Sequence, residues 1–161
     1  TIRAILTSEK KIINNFKKVC FQRRKSLAQL IRNKAFTPSR LNKRATGTLI
    51  EYMGVTIQNI KDGFLEATML INSNLMAPNG FIHAASIVAL ADSSCGCATI
   101  AHLPQNMSNF ATIELKSNHL ATAKNGALIC QAKIEHSGKR TQVWDAIVNH
   151  KETKRKIITD K

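Results

Sequence analysis

Two apolar periods alternate along this chain, and the change from one to the other marks its elements. In residues 9–34, Ile12, Ile13, Phe16, Val19, Cys20, Leu27, Leu30 and Ile31 recur every three or four positions, as on one face of a helix. Ser8 suits the N-cap of this run, and Thr37-Pro38-Ser39 breaks it on the far side. Beyond residue 46 the period shortens to two. Residues 48–58 and 64–71 read as a strand pair joined at Asp62-Gly63. Ala111, Ile113 and Leu115 alternate with Thr112, Glu114 and Lys116. Leu128, Cys130, Ala132 and Ile134 alternate with Ile129, Gln131, Lys133 and Glu135 after the Asn125-Gly126 turn. Residues 142–149, with Trp144, follow Ser137-Gly138, and 156–159 read as a short last strand. Between these groups, residues 82–98 are apolar on most sides, and Pro78-Asn79-Gly80 leads into them. That pattern predicts a buried helix. The order predicts an α+β fold, an antiparallel sheet wrapped around one central helix.

Composition sharpens the picture only where it is uneven. The 161 residues are 43% apolar, enough for one core and against general disorder. No run reaches 18 uninterrupted apolar residues, so no bilayer crossing is read. The net charge is +14, yet residues 1–45 hold 13 Lys or Arg against Glu9, and 46–161 hold 11 against 9 acids. The chain therefore divides into a basic amphipathic helical extension, 1–45, and a domain, 46–161. The extension reads as a solvated face with an apolar stripe packed on the domain, or as a membrane-surface or targeting helix over 9–34. A nucleic-acid arm is disfavoured, because Phe16, Phe21 and Phe36 are not interleaved as a stacking platform.

Cys20, Cys95, Cys97 and Cys130 follow no disulfide framework. Cys95 and Cys97 would point about 200° apart on a helix, so no metal site is expected. Thiols in a reducing cytoplasm are the simpler reading. His102, His119, His136 and His150 are expected at surface or hairpin positions, and Trp144 in the core.

Residues 67–113 carry one formal charge, Asp92, late in the predicted helix. A carboxylate there must be paired, hydrogen-bonded or shifted in pKa. It either caps something at a polar edge or serves as a catalytic group in an apolar site. The helix N-terminus near His83 and Ala84 offers unpaired N–H groups that suit a developing oxyanion. Ala84 and Asp92 lie about 12 Å apart along the axis, too far to act on one carbonyl within one chain. A second copy, antiparallel across a two-fold axis, brings them together twice.

The segment Asn79-Gly80-Phe81-Ile82-His83-Ala84-Ala85, followed by Leu90-Ala91-Asp92, resembles the helix motif of hotdog-fold acyl-CoA thioesterases of the PaaI type. The resemblance extends from about Gly47 to Lys156, through residues 112–117 and 138–145, and leaves out the basic extension. It implies hydrolysis of an acyl- or aryl-CoA thioester to acid and CoA, without a cofactor, by a cytoplasmic homodimer or dimer of dimers. In such a site the carboxylate matching Asp92 is nucleophile or general base, the N–H matching Ala84 polarises the carbonyl, His83 shapes the turn, and Thr112 orients the carboxylate or water. Asn79 belongs to the catalytic turn, with Gly80 and Ala85 against the substrate. Lys116, Ser117, Lys139 and Arg140 match positions that meet the CoA phosphates. The family's Gly-Gly after the His is Ala84-Ala85 here, and Ala77 stands where relatives carry Asn or Gln. Two other readings stand beside this one. One is a non-catalytic acyl-CoA- or lipid-binding hotdog protein. The other is a membrane- or nucleic-acid-associated protein acting through the basic arm.

Overall fold

The computed structural model describes residues 1–7 and 31–159. Its centre is the helix α3, Ala84–Ala101, around which an eight-stranded antiparallel sheet curls. The strands are β1 (Ile2–Thr7), β2 (Thr56–Lys61), β3 (Phe64–Leu70), β4 (Asn109–Leu115), β5 (Asn118–His119), β6 (Ala127–Ser137), β7 (Thr141–His150) and β8 (Lys156–Thr159). Their order is β2-β3-β6-β7-β1-β4, with β8 pairing β7 and β5. This is the α+β arrangement the alternation predicts. Leu128, Cys130 and Ala132 of β6 and Gln142, Trp144, Ala146 and Val148 of β7 all face inward, because alternate residues of a strand share a face. Ile87, Leu90, Cys95 and Ala98 of α3 meet them. By length and composition α3 could cross a membrane, but here it is the core helix of the sheet.

Three expectations are corrected. Residues 48–52 form no strand: Leu49–Tyr52 is a helical turn, α2, capped at Thr48, with the Glu51 carboxylate accepting from the Gly47 N–H at 2.7 Å. Thr48-x-x-Glu51 has the spacing of a capping box, but the Thr48 hydroxyl donates to the Ala45 carbonyl at 2.6 Å, so it is the Glu51 contact back to Gly47 that ties the turn. Thr37-Pro38-Ser39 opens a helix instead of closing one. Pro38–Arg44 is α1, with Pro38 in its first turn and the Thr37 hydroxyl accepting from the Arg40 N–H at 3.2 Å. Leu41 of α1 is buried, and the Asn42 side chain both donates to and accepts from the backbone of Ile57, at 3.1 and 2.8 Å.

The third correction concerns the extension. Residues 8–30, which carry most of the expected helix over 9–34, lie outside the described residues, and the described part, 31–34, is not helical. Residues 2–7 form a strand inside the sheet, and α1 packs on β2. Of residues 1–45, the described stretches 2–7 and 38–44 thus lie against the sheet. The alternation in Ile2, Ala4 and Arg3 is short, and the helical pattern that follows masks it.

His102, expected at the surface, is buried where α3 ends. Nδ1 lies 2.7 Å from the Ala98 carbonyl, and Nε2 accepts from the Gly63 N–H at 2.9 Å. Those two bonds require the neutral ring protonated on Nδ1. Burial holds its pKa below the ordinary 6.5; Arg32 adds to this, while Ala98, Asp62 and Lys61 oppose it. The folded state thus favours the neutral ring, so its contribution is complete above pH 6.5 and lost as pH falls from there toward the folded value. Melting temperature should decline over that window, and His102→Gln should flatten the decline. An unchanged slope in the variant would remove His102 from the effect.

Candidate active site

The α3 N-terminus is fixed before any chemistry is considered. The Leu75 carbonyl, at the end of the 3₁₀ turn Ser73–Leu75, accepts from the His83 N–H at 2.8 Å and the Ser86 hydroxyl at 3.1 Å. The Ile82 N–H reaches the Ala123 carbonyl at 2.9 Å. Ahead of the helix, Gly80 adopts φ 78°, a left-handed conformation that glycine allows. The Asn79 side chain accepts from the Phe81 N–H at 3.2 Å, so it shapes the turn.

His83 is the N-cap, its Nδ1 accepting from the Ala85 N–H at 3.0 Å. A neutral ring in that role carries its proton on Nε2. The Ser86 and Ile87 amides bond the His83 carbonyl. Among the described residues no acceptor stands on the Ala84 N–H, and Ala84 is exposed. That amide sits at the positive end of the helix dipole and is available to an oxyanion.

Asp92 lies eight residues further along α3, half-buried. The Thr112 hydroxyl of β4 donates to its Oδ1 at 3.4 Å, long for such a pair. Burial raises the Asp92 pKa above its ordinary 3.8, and the Thr112 bond pulls the other way. Such a carboxylate is a better proton acceptor than an exposed one. Cys97, on the same helix, is no rival nucleophile: burial pushes its thiol up to about 11, against a smaller opposing pull from Arg44.

Thr112 reaches Asp92 because β4 lies close against the helix. A Cβ on Gly96 would stand 3.2 Å from the Phe110 ring, so glycine there admits Phe110 to α3. Beside Asp92, Ile2, Val88, Ala91, Leu115, Lys116 and Ser117 line a shallow depression.

The basic candidates do not converge within one chain. Lys116 adjoins Thr1, which lies beside Asp145, whereas Lys139 and Arg140 occupy the exposed β6–β7 turn. Arg140 and Asp145 are separated by about 17 Å along β7 at the rise of a strand. A basic residue outside the expected set, Lys124, places its Nζ 4.7 Å from the centre of the Phe81 ring, beside the helix N-terminus. Nothing in its local sequence marks it; the contact arises because the Ala123 carbonyl docks on Ile82.

A sheet curled around a core helix, with a half-buried carboxylate on the helix and, among the described residues, no acceptor on the amide at its N-terminus, is a hotdog fold with the parts of a hydrolytic site. The family model described as the thioesterase superfamily matches residues 79–157. A putative esterase of Pasteurella multocida is 30% identical over 115 residues, which is 71% of this chain and 82% of that protein. The 1,4-dihydroxy-2-naphthoyl-CoA hydrolase of Escherichia coli is 29% identical over 115 residues, covering 71% and 84%. A solved thioesterase from Pseudomonas aeruginosa shares the fold with TM-score 0.75 at 22% identity, over 80% of this chain and 92% of that one. The chain belongs to the thioesterase superfamily, among its PaaI-like hotdog-fold acyl-CoA thioesterases.

Proposed function

We propose that this protein hydrolyses an aryl- or acyl-CoA thioester in a site shared by two copies of the chain. The observation that carries the reading is Asp92: the sole charge of residues 67–113, half-buried, shifted toward the neutral acid and met by the Thr112 hydroxyl. As general base, Asp92 takes a proton from water as the water oxygen adds to the thioester carbonyl. The negative charge developing on the carbonyl oxygen is met by the Ala84 N–H of the second copy, at the end of its helix dipole. The C–S bond then breaks, and the departing sulfur recovers the proton from Asp92, giving acid and CoA. Direct attack by the carboxylate, through a mixed anhydride that water opens, balances equally well.

Within one chain Ala84 and Asp92 are about 12 Å apart along α3, and this separation supports a two-fold dimer. The exposed surfaces fit. β4 is an edge strand with Ile113 45% and Leu115 38% exposed, and an exposed apolar edge seeks a partner. Ala85, which is exposed, and Ala89 and Ser93, which are half-buried, give α3 a small-sided face that suits a second helix. A dimer of dimers would build on the same pair. Lys124, Lys116, Lys139 and Arg140 are candidates for the CoA phosphates, with Ser117 beside Lys116. A cytoplasmic location goes with this reading and suits a thiol at Cys97.

An aryl thioester is placed first because the E. coli relative acts, by its name, on a naphthoyl-CoA. Thiol release should be followed with purified protein on aryl-, short-, medium- and long-chain acyl-CoAs. Turnover is expected, fastest on an aryl-CoA. Tight binding of every thioester with no thiol released would identify a binding protein instead. Ala84-Ala85 and Ala77 are the positions where that outcome would originate.

A further inference from the structure

We infer that β1 is a positioning element of the active site: by pairing with β4 across a bulge at Ile113, it turns the Thr112 hydroxyl toward Asp92. The inference rests on the reading of Asp92 given above.

The register carries it. Arg3 pairs with Glu114 but Ala4 pairs with Thr112, so one step along β1 is two along β4, and Ile113 is the extra residue. Such a bulge re-aims the side chains on either side of it. Cross-strand partners project from the same face of a sheet. Ala4 is 1% exposed and faces the core, so its partner Thr112 faces α3, where it meets Asp92. Arg3 and Glu114 project outward and form an exposed ion pair at 2.8 Å. In a regular strand, residues 112 and 114 would share one face. With Glu114 outward, Thr112 would then point away from the helix. The bulge is what allows the two to point opposite ways.

Among the described residues β1 is also the one sheet partner of β4: on its other side β1 pairs with β7, Ile2 with Trp144 and Ala4 with Gln142. The register of Thr112 is therefore transmitted from the core strand β7 through Ala4. The Thr112–Asp92 distance of 3.4 Å lies at the edge of bonding, so a small displacement of β4 decides whether the bond exists. Phe110 against Gly96 is the rival anchor, able to hold β4 on α3 without β1.

The test uses two variants of the full chain: removal of residues 1–7, and insertion of one glycine between Arg3 and Ala4, which gives Ile113 a partner, removes the bulge and so sets Thr112 and Glu114 on one face while leaving β1 in place. Each is compared with Thr112→Val and combined with it, after circular dichroism has shown a folded protein. Each variant should lower kcat about ten-fold with KM nearly unchanged. Each should also move the acid limb of the pH profile upward, as Thr112→Val does. Adding Thr112→Val to either variant should then cost little more, since residues acting through one contact are not additive. A folded variant with unchanged kcat and acid limb overturns the inference, as does full additivity with Thr112→Val. If removal of residues 1–7 unfolds the domain, the glycine insertion decides. Asp92→Asn is assayed alongside: retained turnover there would overturn the reading of the site, whereas additivity alone overturns only the role of β1.

Discussion

Asp92→Asn should lower kcat by about three orders of magnitude, the scale of losing a positioned base, while KM for the same thioester changes little. The amide keeps the size of the side chain and can still accept from Thr112, so the fold is preserved and only the proton acceptor is removed. The pH profile gives the second half of the expectation. Asp92 must be ionised to act, so activity falls as pH drops through its pKa. Burial has moved that pKa above its ordinary 3.8, and the acid limb should lie correspondingly high. Losing the Thr112 bond, which favours the ionised form, moves the limb further up. If Asp92→Asn retained a tenth or more of wild-type kcat, the reactive group would lie elsewhere.

Trp144→Ala should be the most damaging single truncation, by about 3–5 kcal/mol, lowering the melting temperature by roughly 10 °C for a domain of this size. Trp144 is fully buried, and its Nε1–H donates to the Gln142 side-chain oxygen at 2.9 Å. The Gln142 amide in turn donates to the His102 carbonyl at 2.9 Å, and the His102 ring meets Trp144 edge-on at 5.2 Å. Alanine therefore leaves a large cavity and a buried amide oxygen short of a donor, two costs that add. Thermal denaturation measures the sum. A loss below about 1 kcal/mol would mean that the core recloses over the gap.

How much of this was legible in the chain can be judged from individual elements. The strand faces of β6 and β7 were plain, because the buried residues alternate strictly and the turns carry glycine. The helix was plain because residues 82–98 are apolar all round, and Asp92 stood out against them. Gln142 reads as polar and is buried all the same: it occupies an inward register position, and its partners, Trp144 and the His102 carbonyl, come from neighbouring elements. His102 is hidden for the same reason, since both its bonds depend on where α3 ends relative to the β2–β3 turn. α2 was missed where the Glu51 contact to the Gly47 N–H competed with an apolar run. The bulge at Ile113 is invisible in principle, because alternation along β4 says nothing of the strand beside it.

The position of β1 also orders the assembly of the molecule. Its partners, residues 109–115 and 141–144, lie more than a hundred residues further along the chain. The β2–β3 and β6–β7 hairpins close over short loops and α3 forms locally, so these contacts come early, whereas β1 must wait for the last third of the chain. Until then it is an unpaired strand, and β4 has no place in the sheet. The residues that complete the site are therefore the last to be brought together, and a chain interrupted before β7 holds a helix carrying Asp92 with no hydroxyl aimed at it.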